Sequence, residues 1–185
     1  MSHKRLVCPM GVAGLLDSKF RRLFHNPHQI LKAYIRKNMT ALDIGCGPGV
    51  FSIAIAQLLE GTGKVIAVDM QDGMLDIIQR KIAGTPYEKI ISLHKCSPDS
   101  INVQEKVDFA LMFYMVHEVP NKEHLFQEVL PLIKEDGLVM VVEPALISNN
   151  EFDEMIRHIK TYGFEKYDKL HIMFSKGMVL RKMGD

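Results

Sequence analysis

The chain has 185 residues, 47% of them hydrophobic and 24% charged, as in an ordinary soluble globular domain with a substantial core. Its net charge of +1 supplies no strong field toward nucleic acid or a membrane surface. No apolar run is long enough to span a bilayer, and the N-terminus lacks the basic-then-apolar pattern of a signal peptide. Three cysteines, Cys8, Cys46 and Cys96, do not suggest a disulfide framework, so the expected location is the cytoplasm. Twelve methionines and no tryptophan suggest an adaptable, polarisable core or pocket wall. From the N-terminus, Leu15, Leu16, Phe20, Leu23 and Phe24 recur at near-helical spacing. Asn26 is a good N-cap and Pro27 suits a first helical position, which predicts a helix over 27–37.

The next stretch, Ala41-Leu42-Asp43-Ile44-Gly45-Cys46-Gly47-Pro48-Gly49-Val50, organises the chain. A short apolar run meets an aspartate, then three alternating glycines, then the helical run 51–59. Strand, tight turn and helix start would bring backbone amides close to a ligand. The spacing G-x-G-x-G differs from the dinucleotide fingerprint G-x-G-x-x-G, and Pro48 stiffens the turn. A loop for another nucleotide, or a turn without a ligand, remains an alternative reading of these residues.

Leu42-Asp43-Ile44-Gly45-Cys46-Gly47-Pro48-Gly49 resembles the first motif of class I S-adenosylmethionine-dependent methyltransferases. The resemblance implies that Gly45, Cys46, Gly47 and Gly49 hold the methionine end of the cofactor, and that Asp43 helps bind its amino group. It also makes residues 8–28 a candidate lid, with a plain surface helix as the alternative, and residues 1–26 an N-terminal helical extension of a single domain over 1–185.

The second strand, 64–68, ends at Asp69, about 20 residues past the last glycine. A carboxylate at that spacing can accept hydrogen bonds from both ribose hydroxyls. Met70 is placed to lie against the adenine, as an apolar residue does in the family. Met74, Leu75, Ile77, Ile78 and Ile82 read as the core face of the following helix. The third strand covers 90–94. Many relatives carry Gly-Asp after it, with the acid on the adenine amino group; here the pair is Cys96-Ser97, which supplies a hydroxyl and no charge.

The fourth strand, 107–113, puts Phe113, Tyr114, His117 and Glu118 near its carboxyl end, where ligands of open parallel sheets bind. The rings of Phe113 and Tyr114 can favour a cation. His117 is a candidate base, or equally a helix-start histidine bonded to backbone. The Asn/Asp-Pro-Pro-aromatic motif of amino-directed nucleic-acid methyltransferases is absent, and Met112-Phe113-Tyr114 lacks the acid that metal-assisted relatives place there, so no metal is expected. A helix over 122–130, a stretch over 131–137 that ends in a turn at Gly137, a strand over 138–142 closed by Glu143-Pro144, a helix over 150–162 and a strand pair, 165–174 and 178–182, with Ser175-Lys176-Gly177 as the hairpin turn, complete the chain.

The fold expected from this alternation and resemblance is α/β: a doubly wound seven-stranded sheet with five parallel strands and a C-terminal antiparallel hairpin. The expected activity is methyl transfer from S-adenosyl-L-methionine to a small-molecule acceptor, leaving S-adenosyl-L-homocysteine. Nucleic acid is not expected as a partner, because no basic tract appears; a membrane is not expected either, and a homodimer is left open. The Gly loop and His117-Glu118 are loosely similar to the ubiquinone/menaquinone and arsenite branches, and the acceptor stays open. A catalytically silent cofactor-binding protein and a nicotinamide-dependent oxidoreductase are the alternatives. The short Gly motif, its proline and the C-terminal hairpin speak against the oxidoreductase.

Overall fold

A computed structural model describes residues 26–184. The expected extension and most of the candidate lid, with Cys8, lie outside the described residues. In chain order the elements are α1 (Pro27–Leu31), β1 (Thr40–Ile44), α2 (Val50–Leu58), β2 (Lys64–Asp69), α3 (Asp72–Ile82), β3 (Ile91–Lys95), β4 (Val107–Phe113), α4 (Lys122–Val129), β5 (Ile133–Pro144), α5 (Asn149–Lys160), β6 (Phe164–Leu170) and β7 (Ser175–Lys182). They form one seven-stranded sheet of order β3-β2-β1-β4-β5-β7-β6. β1 to β5 pair in parallel, and β7 runs antiparallel to both β5 and β6. This is the expected architecture.

The apolar strand runs become parallel strands because both faces of the sheet are covered. Ala41, Val65, Ala67, Phe109, Leu111, Met140 and Val142 face α1, α2 and α3. Their sequence neighbours Leu42, Ile66, Val68, Ala110, Met112, Val139 and Val141 face α4 and α5. The alternation is the two-residue period of a strand, read out into two cores. Asn26, Asn121 and Ser148 cap α1, α4 and α5 through their side-chain oxygens, each satisfying a backbone N–H at a helix start.

Several boundaries differ from the sequence reading. Regular helix in α1 stops at Leu31, where Tyr34 N–H takes a tight bond to Leu31 O; Tyr34 stays buried and its hydroxyl donates to Asp168 of β6 at 2.5 Å. β3 begins and ends one residue later than expected. β5 starts at Ile133, before the expected turn, because Ile133 pairs with Val107. The charged residues 134–136 then bulge outward, with Asp136 at φ 59°, and the register resumes at Leu138. Finally, Ser175-Lys176-Gly177 belongs to β7, and residues 171–174 make the turn. Gly177 lacks a side chain because a Cβ would come within 2.9 Å of Leu170 on β6. Its role is close strand packing, which a glycine in a sequence does not distinguish from a turn.

Candidate functional site

The chain leaves β1 toward β2 on one side and returns to β4 on the other. Helix α2 after β1 and helix α4 after β4 therefore cover opposite faces of the sheet. The carboxyl ends of β1 and β4 cannot both be closed by those helices, and a crevice opens there. It holds a cavity of about 1120 Å³, at the upper end of the few hundred to about 1,000 Å³ usual for ligand pockets.

Asp43, Gly45, Cys46, Gly47, Asp69, Met70, Cys96, Ser97, Phe113, Tyr114 and His117 all line this cavity. Gly49 does not. It stands behind the loop at φ +80°, where a Cβ would lie 2.6 Å from Ile78 Cγ1 of α3. Gly49→Ala is therefore expected to destabilise the fold by about 1–3 kcal/mol through overpacking and backbone strain, read as a lowered midpoint in denaturant; an unchanged midpoint would refute this packing role. Gly47, by contrast, has no atom within 4 Å of where a Cβ would be, so its backbone is open to a close ligand.

Two buried carboxylates sit beneath the loop. Asp43 Oδ2 accepts the Ser52 hydroxyl of α2 at 2.5 Å. Burial pushes the Asp43 carboxyl up to about 7, the Ser52 hydrogen bonds oppose that, and the Asp69 charge adds to it. Asp69 Oδ2 accepts Gly47 N–H and Oδ1 accepts Gln71 N–H, both at 2.9 Å. Burial raises the Asp69 carboxyl as well, against the pull of those amides. Asp69 thus fixes the glycine loop to the start of α3. Burial raises both thiols too, Cys46 well above its ordinary value and Cys96 to about 11, so both are neutral near pH 7. Met70 is half-exposed in the wall. Ser97 is bound to Ser100 in a small bridge, where its hydroxyl reaches Ser100 O at 3.4 Å.

The β4 side of the cavity is built by a sharp reversal. Tyr114 takes φ +57°, uncommon for a bulky residue, and its N–H donates to Val142 O at 2.7 Å. Its ring packs on Phe113 at 4.6 Å, Phe113 packs on Phe51 at 4.2 Å, and the Tyr114 hydroxyl bonds the Ser175 hydroxyl. The turn carries Met115 over Gly45 and presents His117 from a 3₁₀ segment, Val116–Glu118. His117 Nδ1 bonds Glu143 Oε2 at 2.5 Å. Glu143, fully buried at the end of β5, also accepts Val116 N–H through Oε1 at 3.0 Å. The hydrogen bond that His117 Nδ1–H donates to Glu143 raises the His117 imidazole above its ordinary value, against partial desolvation. His117 Nε2 lies 3.9 Å from Glu118 Oε1, and burial raises the Glu118 carboxyl. The sequence placed Glu143 at the carboxyl edge without pairing it to His117. Its signal was a carboxylate closing a wholly apolar strand.

A sheet of this order with a glycine-loop crevice after β1 is the fold of class I S-adenosylmethionine-dependent methyltransferases. A sequence model described as a methyltransferase domain matches residues 35–176, and the chain belongs to that family. It is 28% identical over 148 residues to a demethylmenaquinone methyltransferase of Lactobacillus johnsonii, covering 78% of this chain and 57% of that protein. A demethylmenaquinone methyltransferase of Desulfitobacterium hafniense is 28% identical over 113 residues, 60% of this chain and 44% of the relative. The chain thus spans about half the length of these curated relatives. Among solved structures, a SAM-dependent methyltransferase from Aquifex aeolicus superposes with a TM-score of 0.83 at 19% identity, covering 95% and 99% of the two chains. The [4+2]-cyclase SpnF superposes at 0.75 with 11% identity, over 91% of this chain and 85% of its own. These likenesses show the fold, which alone does not fix a reaction. No helix of the described residues is long and apolar enough to cross a membrane. Among the described residues, no three His, Cys, Asp or Glu side chains are grouped so as to hold a metal ion.

Proposed function

We propose that this protein transfers a methyl group from S-adenosyl-L-methionine to a small-molecule acceptor. The observation that carries the proposal is one cavity that joins the glycine loop and Asp69 to the His117–Glu143 pair. The cofactor supplies a methyl already activated on a positively charged sulfur and departs as S-adenosyl-L-homocysteine. The cavity suits it: Gly47 is open to close approach, the Asp69 carboxylate lines the site, and Met70 offers an apolar surface for the adenine. Cys96 and the Ser97 hydroxyl border the same end. Asp43, Gly45 and Cys46 lie toward the methionine end, and Gly49 supports the loop from behind.

The work left to the chain is alignment, which can lower a barrier by several kcal/mol, and removal of an acceptor proton where there is one. His117 is the residue placed for that proton: Glu143 takes its Nδ1–H and leaves Nε2 to face the cavity. The Phe113 and Tyr114 rings border the reacting region and favour a cation there. The curated relatives act on demethylmenaquinone, and the apolar wall is compatible with a quinol of that kind; the acceptor assignment goes no further than a small molecule. The reading also places the protein in the cytoplasm and asks for no nucleic-acid or membrane partner.

Calorimetric titration tests the reading. S-adenosyl-L-methionine and S-adenosyl-L-homocysteine are expected to bind and NAD not to bind. Binding of NAD without response to either sulfur compound overturns it. A screen of metabolite extracts with methyl-labelled donor then separates an enzyme from a silent binding protein.

A further inference from the structure

The cavity wall has an uneven charge. Among the described residues that line it there is no lysine and no arginine, but there are five carboxylates: Asp43, Asp69, Asp99, Glu118 and Glu128. Lys81 and Lys122, on the flanking helices, do not line it; Lys81 Nζ donates to Pro48 O and Lys122 Nζ pairs with Glu151. Most of the carboxylates have duties within the fold. Asp43 holds Ser52, Asp69 holds two loop amides, and Glu128 holds the Ser100 hydroxyl and Ile101 N–H. Glu118 differs. Its one ion pair among the described residues is with His117 at 3.9 Å, and His117 is already bonded to Glu143.

Enzymes that take carboxylate or phosphate groups meet them with arginine, lysine or clustered amides. Among the described lining residues, an anion brought to the acceptor end would lose water and face Glu118 at short range, and the nearest group able to carry positive charge, His117, is already paired with Glu143. Resting on the methyltransferase reading, we infer that the acceptor carries no carboxylate, phosphate or other fixed negative charge, and that Glu118 enforces this choice at the acceptor end. The accepted class is uncharged or amine-bearing compounds with an apolar body, seated between Phe113, Met115, Leu125 and Phe174. The same field suits a cationic methyl donor.

The test uses the full chain saturated with S-adenosyl-L-homocysteine and three probes that share one phenol ring: tyramine, tyrosol and 4-hydroxyphenylacetate. The carboxylate probe is expected to bind at least about tenfold more weakly than the alcohol, with the amine no weaker than the alcohol. In Glu118→Gln the gap is expected to shrink to about threefold or less. A second measurement needs no ligand. Cys96 lines the cavity, and its modification by cationic and anionic methanethiosulfonates, each corrected for its rate with a free thiol, reports the local potential. The cationic reagent is expected to react about tenfold faster, and Glu118→Gln to lower that ratio. Equal binding of the carboxylate and alcohol probes, or a thiol ratio near one, overturns the inference, as does a gap or ratio unmoved by Glu118→Gln. If none of the probes binds, the thiol ratio decides. Failure of S-adenosyl-L-homocysteine to bind defeats the methyltransferase reading instead, and the thiol ratio still reads the field.

Discussion

Asp69→Ala is expected to weaken binding of S-adenosyl-L-homocysteine about hundredfold, or about 3 kcal/mol. Two losses combine. On the proposed reading, the carboxylate accepts both ribose hydroxyls, and charged hydrogen bonds of this kind contribute about 1.5–3 kcal/mol. The same carboxylate holds Gly47 N–H and Gln71 N–H, so its removal also leaves the glycine loop without its tie to α3. Asp69→Asn separates the parts. It keeps one acceptor oxygen and replaces the other with a donor, so an intermediate loss is expected. Calorimetry gives the affinities, and circular dichroism with a thermal melt confirms that each variant is folded. A folded Asp69→Ala protein with unchanged affinity would show that neither a ribose contact nor the loop tie of this carboxylate supports binding.

The parts of this site that are local in sequence are the parts that could be read from it. β1, the three glycines and α2 form one uninterrupted stretch, and each feature has a short-range cause: apolar residues buried on both faces, then glycine geometry, then a helix start. Asp69 was legible because a strand of fixed length follows a helix of fixed length, which sets its spacing from the loop. What escaped were the pairings made by the sheet. Glu143 meets His117 across 26 residues, because β4 and β5 lie side by side and end at the same edge. Asp43 meets Ser52 through the packing of α2 on β1. The last hairpin was misplaced for a related reason. Gly177 answers to Leu170 on the neighbouring strand, a contact with no local trace, and Ser-Lys-Gly reads equally well as a turn.

Glu143→Gln is expected to slow methyl transfer about 10²- to 10⁴-fold while leaving affinity for S-adenosyl-L-homocysteine within about twofold, since this is the range that a positioned base contributes. The argument is one of tautomers. Glu143 Oε1 accepts Val116 N–H, and Oε2 receives the proton on His117 Nδ1. A glutamine can keep the first bond with its oxygen and turn its amide N–H toward His117. Nδ1 must then accept, the ring proton moves to Nε2, and the nitrogen facing the cavity can no longer take a proton. The pH dependence follows with its sign. The base must be neutral, and the Glu143 hydrogen bond raises the imidazole above its ordinary value. The rising limb of kcat/KM in the parent protein should therefore lie above pH 6.5. By linkage, the charged pair stabilises the fold fully below the unfolded imidazole value of about 6.5, and that contribution is lost as pH rises through the higher folded value. An NMR titration of the His117 ring checks the shift without needing the acceptor. It should read above 6.5 in the parent and fall in Glu143→Gln. A titration unmoved by the substitution, or a Glu143→Gln enzyme at full rate on the acceptor found by the labelled-donor screen, would leave His117 a structural residue, with catalysis resting on alignment alone.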